Sequence, residues 1–191
     1  VLRAEHELSQ NLRNKVAAFC NVDCDCVVQS LDLPTIYEVP MKMYEQGLDS
    51  VLLRKLNIEV APAPNLKPWE EYLEKRRNAT EELHIALVGK YDLQDAYKSI
   101  LESLSHAGTY SNRKVKTHFV NSERLTDANV ADELKDMAGV VICPGFGQRG
   151  IEGKIIAARY CRENDKPTFG ICLGMQMMVI EFARNVLGYA D

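Results

Sequence analysis

Residues 169–176 read Phe-Gly-Ile-Cys-Leu-Gly-Met-Gln, so Cys172 sits between Gly170 and Gly174 in a G-x-C-x-G pattern. An apolar stretch precedes the cysteine and a helix-forming stretch follows it. This is the thiol form of a nucleophile elbow, in which a tight strand-to-helix turn lifts the side chain above the sheet edge. The flanking residues must be small because neighbouring backbone passes close by. The positive end of the helix favours a thiolate, and a thiolate can attack a carbonyl carbon. The N–H of Leu173, in the first helical turn, lacks a helical acceptor and suits a developing oxyanion. A second donor is expected from the segment Cys143-Pro144-Gly145-Phe146-Gly147. Pro144 has no N–H, which leaves Gly145 as the candidate. The competing explanation for a lone G-x-C-x-G is a buried structural cysteine. The strand-to-helix position, beside a second glycine loop, favours the nucleophile.

Such a nucleophile needs a base. None of the four histidines, His6, His84, His106 and His118, has an evident reason to reach the edge that carries Cys172. The base and its acidic partner are expected from beyond Asp191. Six cysteines could suggest disulfides, but without a secretory signal they are expected to stay reduced. Cys20, Cys24 and Cys26 are spaced C-x3-C-x-C, unlike a zinc site, and no histidine follows at finger spacing. No metal site is expected there. Cys20 is expected in the core, with the other two near a strand.

The elements that must position Cys172 begin at residue 83. Leu83–Tyr91 reads as a strand ending in Gly89, Gln94–Gly108 as a helix closed by a C-cap glycine, and Lys114–Ser122 as a strand. Asp127–Met137 is helical, Ala138–Gly147 a strand running into a glycine loop, and Ile151–Asn164 a helix. Lys166–Ile171 is a strand, and Leu173–Gly188 a helix. This alternation predicts an α/β fold, a parallel sheet with flanking helices, whose ligands bind at the C-terminal strand ends. Before it, Ser9–Cys20 reads as a Ser-capped helix and Cys26–Leu31 as a short strand, followed by two amphipathic helices broken near Gly47. Pro62, Pro64 and Pro68 mark a linker leading into a charged helix. The expected organisation is 1–60 as the end of one domain, 61–82 as an interdomain linker with a helix, and 83–191 as the start of a second domain. No internal repeat or low-complexity tract is evident.

Composition narrows the function classes. The 191 residues are 46% apolar and 26% charged, with formal net charge −4 at pH 7. That is an ordinary globular composition and speaks against a nucleic-acid-binding module. No apolar run approaches the roughly 20 residues of a membrane span. The N-terminus lacks signal-peptide organisation, and a cytoplasmic location is expected.

The segments "GKY…DAYKSI", "PGFGQRGIEGK" and "GICLGMQMMVIEFARN" resemble the class I glutamine amidotransferases, and closely the CTP synthase family. The segments "VLRAEHELSQNLRNKVAAFCNV" and "LDLPTIYEVP…QGLD" resemble the end of that family's synthetase (amidoligase) domain. The resemblance implies a flavodoxin-like amidotransferase domain preceded by the tail of a P-loop-type α/β synthetase domain. It implies ATP-dependent amination of UTP to CTP with ammonia from glutamine, in pyrimidine biosynthesis. On it, Cys172 is the nucleophile, and Gly145, Leu173, Gly174, Met175 and Gln176 hold glutamine. Lys15 sits at the pyrimidine-nucleotide site, and Leu31, Asp32 and Leu33 line the ATP adenine. It further implies ATP with Mg as cofactors, GTP as an activator and a homotetramer, with no nucleic-acid or membrane partner. The family's metal-binding carboxylates do not occur in this stretch, so no metal ligand is assigned. The chain is expected to be an internal fragment, inactive alone. Many family members carry Pro-Gly-Gly-Phe-Gly where this chain has Cys143-Pro144-Gly145-Phe146-Gly147, which leaves open the amide that completes the oxyanion hole. Another class I amidotransferase or a γ-glutamyl hydrolase is the alternative enzyme, and a non-catalytic oligomerisation fragment the alternative of another class.

Overall fold

The computed structural model describes residues 1–59, 62–91 and 94–189, so Val60 at the expected end of the first domain and Ala61 at the start of the expected linker lie outside the described residues. The chain divides into two compact units, Val1–Leu73 and Glu74–Asp191.

In the first unit β1 (Leu2–Ala4) pairs in parallel with β2 (Gln29–Leu31). Helix α1 (Gln10–Cys20) starts at Ser9, whose side chain accepts from the Leu12 N–H at 3.4 Å, as the sequence predicts. Helices α2 (Val39–Glu45) and α3 (Leu48–Lys55) are separated by Gly47 at φ 74°, a left-handed position natural to glycine. Helix α4 (Lys67–Asn78) begins in this unit, where the Trp69 indole N–H donates to the Tyr37 carbonyl at 2.9 Å. Cys20, expected in the core, is exposed: the buried residue of α1 is Ala17, and the cysteine ends the helix on its outer side.

The second unit is built on four parallel strands, β3 (Glu81–Gly89), β4 (Arg113–Asn121), β5 (Gly139–Ile142) and β6 (Thr168–Gly170), in the order β4-β3-β5-β6. The central β5, Gly-Val-Val-Ile, is buried along its whole length, as expected of a parallel strand covered on both faces. One face packs Leu87, Val141 and Cys143 under α5 (Lys98–Tyr110) with Tyr97. The other packs Ala86, Val88, Val120, Val140 and Ile142 under α6 (Val130–Leu134) and α7 (Ile151–Glu163), through Leu134, Ala157 and Cys161. Helix α8 (Leu173–Asn185) follows β6 and is tied to α7 by Arg162, which grips the buried Glu181 carboxylate at 2.8–3.2 Å.

The strands expected over Cys26–Leu31 and Lys166–Ile171 shorten to β2 and β6, with Cys24–Cys26 forming a 3-10 turn, and three further elements differ from the sequence reading. Strand β3 starts at Glu81, not Leu83, because Glu81 ion-pairs with Arg113 and Glu82 with Lys116 at 3.4 Å across the ladder. Gly108 is not a C-cap but lies inside α5, where a Cβ would come within 2.7 Å of a Val115 methyl and 2.8 Å of the Arg113 carbonyl oxygen. It lets the helix lie close on β4, and the left-handed residue beyond the helix is Asn112. The helix expected over 127–137 contracts to α6.

Candidate active site around Cys172

Cys172 falls between the end of β6 and the start of α8, at φ 52°, ψ −110°. That conformation is strained for any residue with a side chain. The two neighbouring glycines are required by packing. A Cβ on Gly170 would lie 2.6 Å from the Met175 nitrogen and 2.7 Å from the Gly174 carbonyl carbon. A Cβ on Gly174 would overlap the Ile142 carbonyl oxygen and sit 2.7 Å from its carbon. The turn is tied down by the Ile171 N–H donating to the Ile142 carbonyl at 3.0 Å and the Gly174 N–H to the Ile171 carbonyl at 2.9 Å. With α8 pressed on β5 and the chain bent sharply, the Cys172 side chain is left exposed. Cys143 and Cys161 are buried, and burial raises both thiols, Cys143 to about 12. Of these three cysteines, only Cys172 has the access that a nucleophile needs.

The glycine loop after β5 lies beside this elbow. Gly145 is buried, and a Cβ there would sit 3.7 Å from a Leu173 methyl, 3.3 Å from Cε of Lys90 and 3.5 Å from Nζ of Lys154. The loop leaves the sheet where the strand order turns, between β3 and β5, the crevice in which open α/β sheets bind ligands. Two lysines hold it from beneath. Lys154 is fully buried and donates to the Cys143 carbonyl at 2.7 Å and the Pro144 carbonyl at 3.5 Å. Lys90 is 7% exposed and donates to the Phe146 carbonyl. Burial, and then the charge of Lys90, lower the Lys154 ammonium, while Cys143 and Cys172 work the other way. The sequence alone singles out neither lysine. Lys154 lies in the first turns of a helix, where a lysine reads as solvated, and only the "GKY" and "EGK" context marked the positions.

The structure thus brings together Cys172, Leu173, Gly174 and Gly145, with Met175 and Gln176 exposed on the first turn of α8. The histidines of this unit lie elsewhere. His84 and His118 stack on each other with ring nitrogens 2.7 Å apart, part-way along β3 and β4, and His106 lies in α5. Lys15, Leu31, Asp32 and Leu33 belong to the first unit: Lys15 is on the exposed side of α1, and Asp32 is ion-paired with Arg3. Among the described residues the cluster able to hold a metal is Asp23, Asp25 and Cys26. Its carboxylates are already taken by Lys55 and Arg54, each at 2.6 Å, so it does not fit a Mg ion. No described helix is long and apolar enough to cross a membrane.

Comparison with known proteins gives two family matches, "Glutamine amidotransferase class-I" over residues 92–190 and "CTP synthase N-terminus" over residues 1–58. Among similar proteins are the CTP synthases of Bacteroides thetaiotaomicron, 66% identical over 193 residues, and Porphyromonas gingivalis, 59% identical over 192 residues. Each is matched by 100% of this chain, which spans only 36% of the relative's length. A solved CTP synthase glutaminase domain from Trypanosoma brucei, with bound acivicin, superposes with a TM-score of 0.52 and 41% identity, covering 57% of this chain and 43% of that one.

Proposed function

The chain belongs to the class I glutamine amidotransferase family, and from that premise we propose that it is the portion of a glutamine-hydrolysing CTP synthase that carries the thiol nucleophile. The Cys172 thiolate attacks the side-chain carboxamide carbon of glutamine. The negative charge that develops on the carboxamide oxygen is taken by the Leu173 N–H and an N–H of the glycine loop, with Gly145 as the assigned donor. Collapse of this adduct breaks the C–N bond, the nitrogen takes up the proton that the thiol gave up and leaves as ammonia, and a glutamyl thioester remains. Water then cleaves the thioester to glutamate and restores the thiol. The exposed first turn of α8, with Met175 and Gln176, lines the glutamine pocket. In the whole enzyme ATP phosphorylates O4 of UTP, and the ammonia displaces that phosphate to give CTP. Lys15 is assigned to the pyrimidine nucleotide and Leu31–Leu33 to the adenine of ATP. Mg would accompany the ATP phosphates, with no ligand assigned on this chain. GTP activation and a homotetramer belong to the same proposal.

The observation that carries this reading is the backbone of Cys172, an exposed residue at positive φ and strongly negative ψ, held between two glycines that cannot gain a Cβ. Such strain persists only where the surrounding structure enforces it, and it serves to raise the thiol above the sheet edge. Acivicin, present in the solved relative, is the probe. Incubation of the 191-residue chain with acivicin and peptide mass mapping should find Cys172 modified in preference to the other five cysteines. Uniform modification of the folded chain, or absent modification in a longer protein that also supplies the base, overturns the assignment of a glutamine pocket here.

A further inference from the structure

Lys154 is the least expected side chain in the second unit. A lysine with no exposed surface is rare, because removing an ammonium from water is costly unless a carboxylate accompanies it. Among the described residues no carboxylate pairs with Lys154, and its neighbours include a second cation, Lys90. It also lies in the first turns of α7, whose N-terminal dipole disfavours positive charge. What it touches instead are the carbonyls of Cys143 and Pro144, at 2.7 and 3.5 Å. Lys90 takes the Phe146 carbonyl from the neighbouring strand exit.

We propose that Lys154 is a positioning residue for the Cys172 site, setting the direction of the Gly145 N–H by holding the carbonyls on its N-terminal side. The peptide unit is planar and trans, so the N–H of one residue points opposite to the carbonyl of the residue before it. With the Pro144 carbonyl drawn down to Lys154, the Gly145 N–H is turned away from the ammonium and is free for a ligand. The grip of Lys90 on the Phe146 carbonyl orients the Gly147 N–H in the same manner. Pro144 makes such a device necessary. The Cys143–Pro144 peptide has no N–H with which to anchor itself, so the loop's geometry depends on what its carbonyls accept. The charged and titratable groups facing Lys154 are Lys90 from the β3 exit, Cys143 from the β5 exit and Cys172 from the start of α8.

The inference rests on the assignment of Cys172 as nucleophile, and its test separates the two. The full chain is compared with Lys154→Met and Lys154→Gln. Methionine is similar in length and apolar, and replacing a buried charge in this way is commonly tolerated by the fold. Each variant is treated with a glutamine-mimicking diazoketone, whose carbonyl oxygen needs the oxyanion donors, and separately with iodoacetamide, which needs only the thiol. Lys154→Met should lower the maximal rate of diazoketone inactivation at Cys172 about tenfold or more, with the half-saturating concentration and the iodoacetamide rate each changing less than threefold. Lys154→Gln, which keeps an N–H donor, should recover part of the loss. Equal losses with both reagents, no loss, or failure of both variants to fold by circular dichroism each overturn the proposal. If the unsubstituted chain does not take the diazoketone, the same labelling of a longer protein that supplies the base decides the nucleophile assignment, and amide hydrogen exchange decides the role of Lys154. Gly145–Gly147 should then exchange at least tenfold faster in Lys154→Met, with Val140 and Val141 unchanged, and equal exchange overturns it.

Discussion

Gly174→Ala isolates the contact on which the elbow depends. Two effects oppose each other. Alanine is favoured over glycine in a helix by about 0.8–1 kcal/mol, so on propensity alone the change would stabilise α8. The new methyl, however, would overlap the Ile142 carbonyl oxygen and stand 2.7 Å from its carbon, well inside ordinary contact, and 3.2 Å from the Ile142 Cβ. The obstruction is mostly backbone of the central β5, which cannot rotate out of the way, so α8 must move off the sheet. Overpacking of this kind costs roughly 1–3 kcal/mol, and a rigid backbone partner puts this case at the upper end. The net expectation is a loss of about 2 kcal/mol, equivalent to a fall in midpoint of about 8–10 °C for a unit of this size. Thermal unfolding should be followed by far-ultraviolet circular dichroism, because the single tryptophan, Trp69, lies in the other unit. The same shift of α8 moves the Cys172 turn, so modification of Cys172 by acivicin should slow at least tenfold. A Gly174→Ala chain whose midpoint is unchanged, or raised by the helix-propensity gain, would refute the close-approach argument.

Two further expectations concern strain and pH. Cys172→Gly should be more stable than Cys172→Ala by about 1 kcal/mol, since glycine accepts φ 52°, ψ −110° without the penalty carried by a side chain; equal midpoints would deny that the turn is strained. Burial acts to raise the Glu181 carboxyl, but hydrogen bonds from Arg162 and Asn185 outweigh it and hold the group below its ordinary value. A carboxyl lowered on folding contributes stability that is complete above its unfolded pKa of about 4.3 and is lost as pH falls through the folded value. The urea midpoint of the wild-type chain should therefore fall more steeply below about pH 5 than that of Glu181→Gln; parallel curves would show that Glu181 is not a source of the acid sensitivity.

The sequence was most informative where one residue type had a single physical use. Gly170 and Gly174 stand where only glycine fits an elbow, with the nucleophile Cys172 between them, and the structure places all three at the junction of β6 and α8. Ser9 capped α1 and Gly47 divided α2 from α3 for equally local reasons. Reading failed where a residue had two uses. Gly108 satisfied the spacing of a C-cap, but its role is set by β4, which packs against it from another part of the chain. The burial habit of free cysteines points Cys20 to the core, whereas α1 turns Ala17 inward. Strand β1 is three residues long and exists through its pairing with β2, which no local pattern announces. Lys154 was invisible for the same reason: helical periodicity does not reveal that the space above one lysine is filled by a loop.

The strained cysteine and the buried lysine meet at the same three residues. Ile142 accepts the Ile171 N–H and abuts Gly174, which fixes the elbow from one side. Cys143 donates its N–H to Val88 at 2.9 Å, which locks the strand exit to β3, and offers its carbonyl to Lys154. Pro144 then carries the chain into the loop without an N–H of its own. The end of β5 therefore sets both the height of the thiol and the orientation of the proposed oxyanion donor. These features are individually unfavourable, and a sheet covered on both faces, with Val88, Val140 and Ile142 on one side and Leu87, Val141 and Cys143 on the other, is what makes them sustainable. A perturbation that slides β5 against β3 must disturb the thiol and the loop together, whereas one confined to the half-buried His84–His118 pair of β3 and β4 should leave both in place.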